Sequence, residues 1–371
     1  MIIGIDVSQI VYKTGVSRYT KELVKALLKS DKKNLYKLFA GTLRQREEIE
    51  NFFNELTARN YKFKSYIKLL PPQVADFLWN ELHTFSVENF IGKIDVFHSS
   101  NWSQPPSRAY KVTTVHDLVP VLYPQYLPEK IVRNFHKNLK IIEKECDQII
   151  AVSQATKADL INQSKSLTNK IEVIYSGVDS KFRPINDDKV IARVKEKYGI
   201  KGKYVLTVGT FEPRKNLKKV ISAFNKLGRK DVTLVLAGKY GWGDKELPLS
   251  GCVLAAGFIK DDDLPALYSG ALGFVFASLY EGFGLPVLEA LACGCPVITS
   301  NVSSLPEVTG EAALKVDPYN EEDIMYACRR LIEDENLRKK LSAAGLKQAK
   351  KFTWEESARK TLQVYNKSQL T

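Results

Sequence analysis

The chain has 371 residues, 44% apolar and 26% charged, with a formal net charge of +13. Its length exceeds what one hydrophobic core usually serves, so two domains are expected, and its composition excludes a disordered or low-complexity chain. The charge asks for an anionic partner such as nucleic acid, a membrane surface or a phosphorylated substrate. Because the excess is spread over both halves, with no zinc finger, RNP-like aromatic motif or basic zipper, a dedicated nucleic-acid module is disfavoured.

The first residues, "MIIGIDVSQIVYKTGVSRY", show no basic region followed by an apolar segment and a small-residue cleavage site, so no secretory signal is expected. No apolar run approaches the roughly 18 residues that span a bilayer. Short β-branched runs at Met1 to Val7, Tyr36 to Ala40, Asp95 to His98, Val112 to Val115 and Gln148 to Val152 predict strands. Between them lie helical patterns such as Ser17 to Leu28, where Tyr19, Leu23, Leu27 and Leu28 recur at three- and four-residue spacing. This alternation implies parallel strands joined by crossover helices in a doubly wound α/β domain.

Two stretches of this half can carry chemistry. In "VYKTGVSRYTKEL", Gly15 and Val16 follow strand one and can bring backbone N–H groups to a phosphate, although a lone glycine is weak evidence. In "TVHDLVPVLYPQY", His116 and Asp117 end an apolar strand. A lone histidine there is more often a satisfied structural group, but a strand C-terminus is where an α/β sheet keeps its ligands. The segment "KFKSYIKLLPPQVADFLWNELHTF" suits either an ordinary core helix or an anionic membrane surface carrying a lipid-linked glycan.

A segment rich in charge, Gly and Pro, near Phe182 to Lys203, marks a domain boundary. Residues 1–185 and 186–371 are the two domains expected, with the last helix free to pack back on the first. The second domain repeats the alternation in "YVLTVG", "VTLVLAG", "GFVFAS" and "PVITS", and the tail from Glu321 reads as helix throughout. Five cysteines (Cys146, Cys252, Cys293, Cys295 and Cys328) fit no zinc module and read as reduced thiols acting as small apolar residues.

In "VGTFEPRKNLKKVISAF", Arg214 and Lys215 lie in a strand-to-helix loop just before Asn216, a candidate N-cap. A guanidinium fork and a point charge together can neutralise a diphosphate without a metal, whereas a solvated charged loop is the plain alternative. In "SLYEGFGLPVLEALACGCPVITS" a strand ends, a glycine-bracketed turn follows, and Pro286 suits the start of a helix. Phe283, Gly284 and Leu285 then present backbone N–H groups where the helix dipole favours an anion. Glu281 and Glu289 are separated by roughly 10 Å along such a helix, too far to face each other as a hydrolase pair. They suit different parts of one extended ligand.

The stretch "EGFGLPVLEALACGCPVITSNVSSLPEV" resembles the signature of the family 4 retaining glycosyltransferases, a glutamate, seven residues and a second glutamate. "VGTFEPRKNL", "IIAVSQATKADLI", "VIYSGVD" and "GFIKDDDLPALYSGALGFVFASLYEGFG" are similar to the same family, and "TVHDLVPVLYP" to its bacterial mannosyltransferase branch. The resemblance covers nearly the whole chain and is looser over residues 40 to 95. It implies a GT-B fold, two facing Rossmann-like domains with a deep cleft, the first binding acceptor and the second a nucleotide-diphosphate sugar.

By the same resemblance, Glu281 would contact the donor sugar's hydroxyls and Glu289 the nucleotide ribose. Backbone from Phe283 to Leu285 would hold sugar and phosphate, and main chain near Phe258 and Ile259 would meet the base. Arg214 and Lys215 would bind the diphosphate as it leaves, Gly15 would face it, and His116 would sit beside the sugar. Thr210 stands where many members have arginine, and Arg214 is expected to supply that charge. The activity implied is retaining transfer of a sugar, mannose first, from GDP-mannose (a UDP-sugar second) to a hydroxyl of a glycan or lipid-linked acceptor in polysaccharide or O-antigen-type synthesis. No metal or other cofactor is expected. The alternatives are a sugar-nucleotide epimerase of the same frame and a non-catalytic nucleotide-sugar-binding protein. A cytoplasmic location follows, with peripheral contact at the inner face of an anionic membrane as its extension.

Overall fold

The computed structural model describes residues 1–12, 14–100, 102–241, 247–249 and 251–370. The chain forms two compact units, one from Met1–Pro124 and Pro128–Gly177 with the residues from Thr353 onward, the other from Gln125–Leu127 and Val178–Phe352. The chain thus leaves the first unit after Gly177, where composition puts the boundary near Phe182 to Lys203.

The first unit contains β1 (Ile2–Asp6), β2 (Leu35–Thr42), β3 (Lys64–Leu69), β4 (Val96–Ser100), β5 (Tyr110–Val115), β6 (Gln148–Ala151) and β7 (Ile171–Val173). They pair in parallel in the order β3-β2-β1-β4-β5-β6-β7. Ile3 stands opposite Tyr36 on one side and Val96 on the other, and all five residues of β4 are buried. A strand covered on both faces favours apolar and β-branched residues, as in β1 and β5, while β4 also buries His98, Ser99 and Ser100. The edge strand β3, "KSYIKL", is mostly exposed and carries Lys64 and Lys68, a composition that protects an edge and hides it from a hydropathy reading. Strand β7 has three residues, too few for a pattern.

The second unit contains β8 (Lys203–Val208), β9 (Val232–Ala237), β10 (Val253–Gly257), β11 (Gly273–Phe276), β12 (Val297–Ser300) and β13 (Ala313–Val316), also parallel, in the order β10-β9-β8-β11-β12-β13. The helices Leu217–Lys226 and Glu321–Glu333 bring Val220, Ile221 and Phe224, with Ile324, Cys328 and Leu331, into one core with Leu234, Leu236 and Val275. In both sheets the first strand lies between the second and the fourth, so the strand order reverses beside it. Such a reversal leaves a crevice at the C-terminal ends of the two strands that flank it.

All five cysteines are free thiols, and Cys146, Cys293, Cys295 and Cys328 are buried. Burial pushes the thiols of Cys146, Cys293 and Cys328 up to about 12, so they behave as small apolar groups. Among the described residues no helix is long and apolar enough to cross a membrane.

The tail is helical over Glu321–Glu333, Glu335–Ala349 and Trp354–Asn366, with Asn320, Asp334 and Thr353 accepting from backbone N–H groups as N-caps. The last helix closes against the first unit, where Ser357 Oγ donates to Tyr175 O at 2.5 Å. Gly177 makes that approach possible, because a Cβ there would lie 2.2 Å from Trp354 N and 2.5 Å from the carbonyl carbon of Thr353. Backbone atoms cannot yield as a side-chain tip can. Gly177→Ala is therefore expected to destabilise the first unit by about 1–3 kcal/mol, read as a lower thermal midpoint by circular dichroism; an unchanged midpoint would refute the packing argument.

Candidate active site

The strand reversal in the second unit lies between β8 and β11, which pair through Gly273 with Val205 and Phe274 with Leu206. The loops that follow these strands, residues 209–216 and 277–284, therefore emerge side by side. Leu279 N–H donates to Arg214 O at 2.9 Å, which ties one loop to the other. Pro213–Lys215 form a single 3-10 turn ending at Asn216, which adopts the left-handed conformation at φ 58°. Asn216 stands at the N-cap position, but its side chain does not cap. Its amide donates to Ala277 O (3.1 Å) and Pro318 O (2.7 Å), because the left-handed backbone turns the carboxamide toward the neighbouring loop. The expected cap is corrected to a cross-loop tie.

This tie presents two cations to one carboxylate. Arg214 Nη1 lies 2.9 Å from Glu281 Oε2, and Lys215 Nζ lies 2.7 Å from Glu281 Oε1. Arg214 also donates from Nη1 to Tyr280 O at 2.6 Å and from Nη2 to Glu212. Lys215 Nζ lies 4.8 Å from the centre of the Phe276 ring. Burial by itself would raise the Glu281 carboxyl, but Arg214 and Lys215 overcome it and hold it at about 2. Burial, and then Arg214, push the Lys215 ammonium below the usual lysine range, against the pull of Glu281 and Glu212. Glu212 escaped the sequence reading; its one signal is its place two residues before Arg214 in the same loop.

The backbone around Glu281 is fixed as tightly as its side chain. Glu281 N–H donates to Ser303 Oγ at 3.0 Å, and Ser304 Oγ donates to Glu281 O (2.9 Å) and Phe283 O (3.0 Å). Gly284 follows at φ 100° and ψ 48°, and the helix Leu285–Ala292 begins with Pro286 in its second position. A Cβ on Gly284 would lie 2.6 Å from Leu305 Cδ2, so space and backbone both select glycine. Val287 N–H already donates to Gly284 O at 3.0 Å and Pro286 has no N–H, so the amides of Gly284 and Leu285 are the donors that this helix start offers an anion. Phe283 is a buried ring packed edge-on to Phe352.

Glu289 is the fifth residue of that helix and only 2% exposed, with Tyr268 Oη donating to its Oε2 at 3.3 Å. Glu281 and Glu289 thus sit in separate hydrogen-bonded settings. Phe258 and Ile259 follow the edge strand β10, two strands away from β8. Ile259 is buried, whereas Phe258 is exposed with the Lys239 ammonium 4.5 Å from its ring centre.

In the first unit, Gly15 begins the helix Gly15–Ser30, and Ser17 Oγ steadies the turn before it by accepting from Thr14 N–H (3.3 Å) and donating to Gln9 O (2.8 Å). His116 lies one residue beyond β5, its ring edge-on to Tyr19 at 4.7 Å. Burial holds its imidazole down at about 4. His98, on β4, was not singled out in the sequence. Its Nδ1 meets Tyr365 Oη at 2.6 Å and its Nε2 meets Thr114 Oγ1 at 2.8 Å, so both ring nitrogens are satisfied. Among the described residues the ring nitrogens of His116 have no such partner. His98 is therefore held by the fold on both sides of its ring.

Two parallel Rossmann-like sheets, each with its strand order reversing beside the first strand, make up the GT-B fold. The chain belongs to the family 4 glycosyltransferases. Residues 13–182 match the family described as Glycosyltransferase Family 4, and residues 190–348 match Glycosyl transferases group 1. O-antigen chain mannosyltransferase B of Escherichia coli is 32% identical over 367 residues, covering 95% of this chain and 96% of that protein. Among solved structures, Anabaena Alr3699/HepE in complex with UDP-glucose superposes with a TM-score of 0.75 at 17% identity, covering 99% of this chain and 100% of that one. Sucrose-phosphate synthase from Thermosynechococcus elongatus gives 0.74 at 19% identity, covering 99% and 98%.

Two outcomes follow from the charge cluster. The Glu281 carboxyl is lowered from 4.5 to about 2, so its stabilisation is complete above about pH 5 and is lost as pH falls through 4 toward 2. Glu281→Gln, which leaves two half-buried cations without their shared carboxylate, is expected to destabilise the second unit by about 2–4 kcal/mol at pH 7. It should also flatten the acid limb of the thermal midpoint against pH. An acid limb equal to that of the parent chain would refute the assignment.

Proposed function

We propose that this glycosyltransferase moves mannose, with retention, from GDP-mannose to a hydroxyl of a glycan or lipid-linked acceptor in O-antigen-type synthesis. The observation that carries the reading is the pair Arg214 and Lys215 held on Glu281 beside the amides of Gly284 and Leu285. The choice of mannose and of this acceptor class is supported by the name of the full-length Escherichia coli relative.

Breaking the bond between the anomeric carbon and a diphosphate places negative charge on the leaving oxygens. Two half-buried cations and a helix start, fixed before the donor arrives, are suited to stabilise that charge with little reorganisation. Glu281 stays ionised throughout the physiological range, so it accepts hydrogen bonds from sugar hydroxyls and does not serve as a general acid. A neutral His116 hydrogen-bonds a sugar hydroxyl, Gly15 offers its amide to phosphate, and Glu289 accepts from the ribose. The base is assigned to the turn at Phe258 and Ile259. In the step that fits these residues, the acceptor hydroxyl attacks from the face the diphosphate leaves. The new C–O bond forms as the old one breaks, and the hydroxyl proton passes to the departing phosphate oxygen. The two cations do the work a metal would do, so no metal is assigned.

The protein is assigned to the cytoplasm, touching the inner face of an anionic membrane. The net charge of +13 supports this reading.

Acceptor-dependent release of GDP from GDP-mannose tests the proposal. Arg214→Ala and Lys215→Ala are each expected to lower kcat by about 10²-fold or more, with activity of the parent chain unaffected by chelators. Retained activity in either variant would overturn it. Thermal shifts with GDP, UDP and ADP should be largest with GDP, and a larger shift with UDP would replace the donor.

A further inference from the structure

Behind the carboxylate assigned to the ribose stands a side chain that the proposed function leaves without a role. Tyr268 is wholly buried, and its hydroxyl donates to Glu289 Oε2 at 3.3 Å. Its ring packs edge-on to Phe274 at 5.4 Å and to Phe182 at 6.2 Å. Apolar contact accounts for the ring, which phenylalanine would supply as well, but not for a hydroxyl that must find a partner once it leaves water.

The element that carries Tyr268 is braced at several points. In the helix Leu264–Gly270, Leu267 O accepts from Tyr204 Oη at 2.7 Å and Ser269 Oγ accepts from Ile185 N–H at 3.0 Å. Asp263, just before that helix, accepts from Tyr198 Oη at 2.7 Å and from Lys197 Nζ at 2.6 Å. The phenol is therefore delivered to one place. Glu289 lies on a different helix, Leu285–Ala292, so the hydrogen bond joins two elements and is not a contact within one.

We infer that Tyr268 is a positioning residue for the donor ribose: its hydroxyl holds the Glu289 carboxylate in the rotation in which that group accepts from a ribose hydroxyl. This rests on the ribose role proposed for Glu289 and adds what aims it. A carboxylate turns about its last bond, and a donor fixed on one oxygen sets that rotation before the ligand arrives. With about four acceptor sites on a carboxylate, one bond from a phenol orients the group without exhausting it. Because Tyr268 acts on the nucleoside end of the donor and not on the cluster at Glu281, it should govern donor affinity and leave the rate of bond breaking nearly untouched.

Calorimetric titration of the parent chain, Tyr268→Phe and Glu289→Ala with GDP and with 2′,3′-dideoxyGDP tests the inference. UDP and its dideoxy form take their place where UDP gives the larger thermal shift, since the ribose is common to both. The parent chain should bind GDP about tenfold or more tighter than the dideoxy form. Tyr268→Phe keeps the ring, and should weaken GDP about three- to tenfold while binding the dideoxy form as the parent does, which also shows that it folds. In transfer assays it should raise KM for the donor by a similar factor, with kcat within about twofold of the parent. Equal weakening of both nucleotides, or of neither, would overturn the role of Tyr268. A parent chain that binds both forms alike, or a Glu289→Ala chain that still prefers GDP, would instead remove the ribose role of Glu289, and the inference with it.

Discussion

Two cations locked onto one buried carboxylate set the terms for the second unit. Arg214 and Lys215 come from the loop after β8, and Glu281 comes from the loop after β11. Charges buried this deeply are costly singly and tolerable only together. Ion pairing therefore fixes where the two loops lie, and the hydrogen bonds around it finish the task. Asn216 reaches across to Ala277, Leu279 reaches back to Arg214, and Ser303 and Ser304 hold the main chain on either side of Glu281. The strand order places these loops together, because only the first and fourth strands of this sheet meet at the reversal.

The cluster as it stands contains two cations, Arg214 and Lys215, and two carboxylates, Glu212 and Glu281. An arriving diphosphate would compete with the carboxylates for the same donors. Under the proposed function this exchange is useful, since a carboxylate relieved of part of its ion pairing becomes a stronger acceptor for sugar hydroxyls. Glu212, whose carboxylate pairs with Arg214, would keep the guanidinium oriented while the partners change. The depressed ammonium of Lys215 marks the same tension, because its burial is offset only while an anion is close by.

The sequence revealed the parts of this fold whose physics is local. Central strands such as β8 and β12 are buried along most of their length and carry β-branched or apolar runs, whereas β4, "VFHSS", shows only its first two residues as such. The edge strand β3 carries lysines, β10 is an alanine- and glycine-containing run of half-buried residues, and β7 has three residues. Neither β3 nor β7 gives a hydropathy signal, and β10, "VLAAG", is apolar but lacks the β-branched run that marks a strand. At the site, Gly284 and Pro286 were legible because turn and helix start impose residue types by themselves. Glu212 was not, because a carboxylate two residues from an arginine in a loop imposes no pattern, and the true partners of Asn216 were not, since Ala277 and Pro318 are more than sixty residues away in the chain. The sequence also could not rank its histidines. The satisfied one, His98, sits on a strand whose pairing with β5 brings Thr114 to it, while Tyr365 arrives from the far end of the chain.

The two sheets share a strand order but not an electrostatic character. At the C-terminal ends of β4 and β5, Tyr19, His98 and Thr114 form a chain of hydrogen bonds in which burial keeps the imidazole neutral, at about 3 for His98. At β8 and β11 the corresponding ends carry fixed opposite charges. Topology alone explains neither difference, since both sheets offer a crevice at the same place. Side-chain identity decides it. The first sheet end carries uncharged groups joined by hydrogen bonds, whereas the second pairs Arg214 and Lys215 with Glu281. Of the two, the second holds the cations Arg214 and Lys215, and under the proposed function this is the reason for assigning the anionic end of the donor to the second unit.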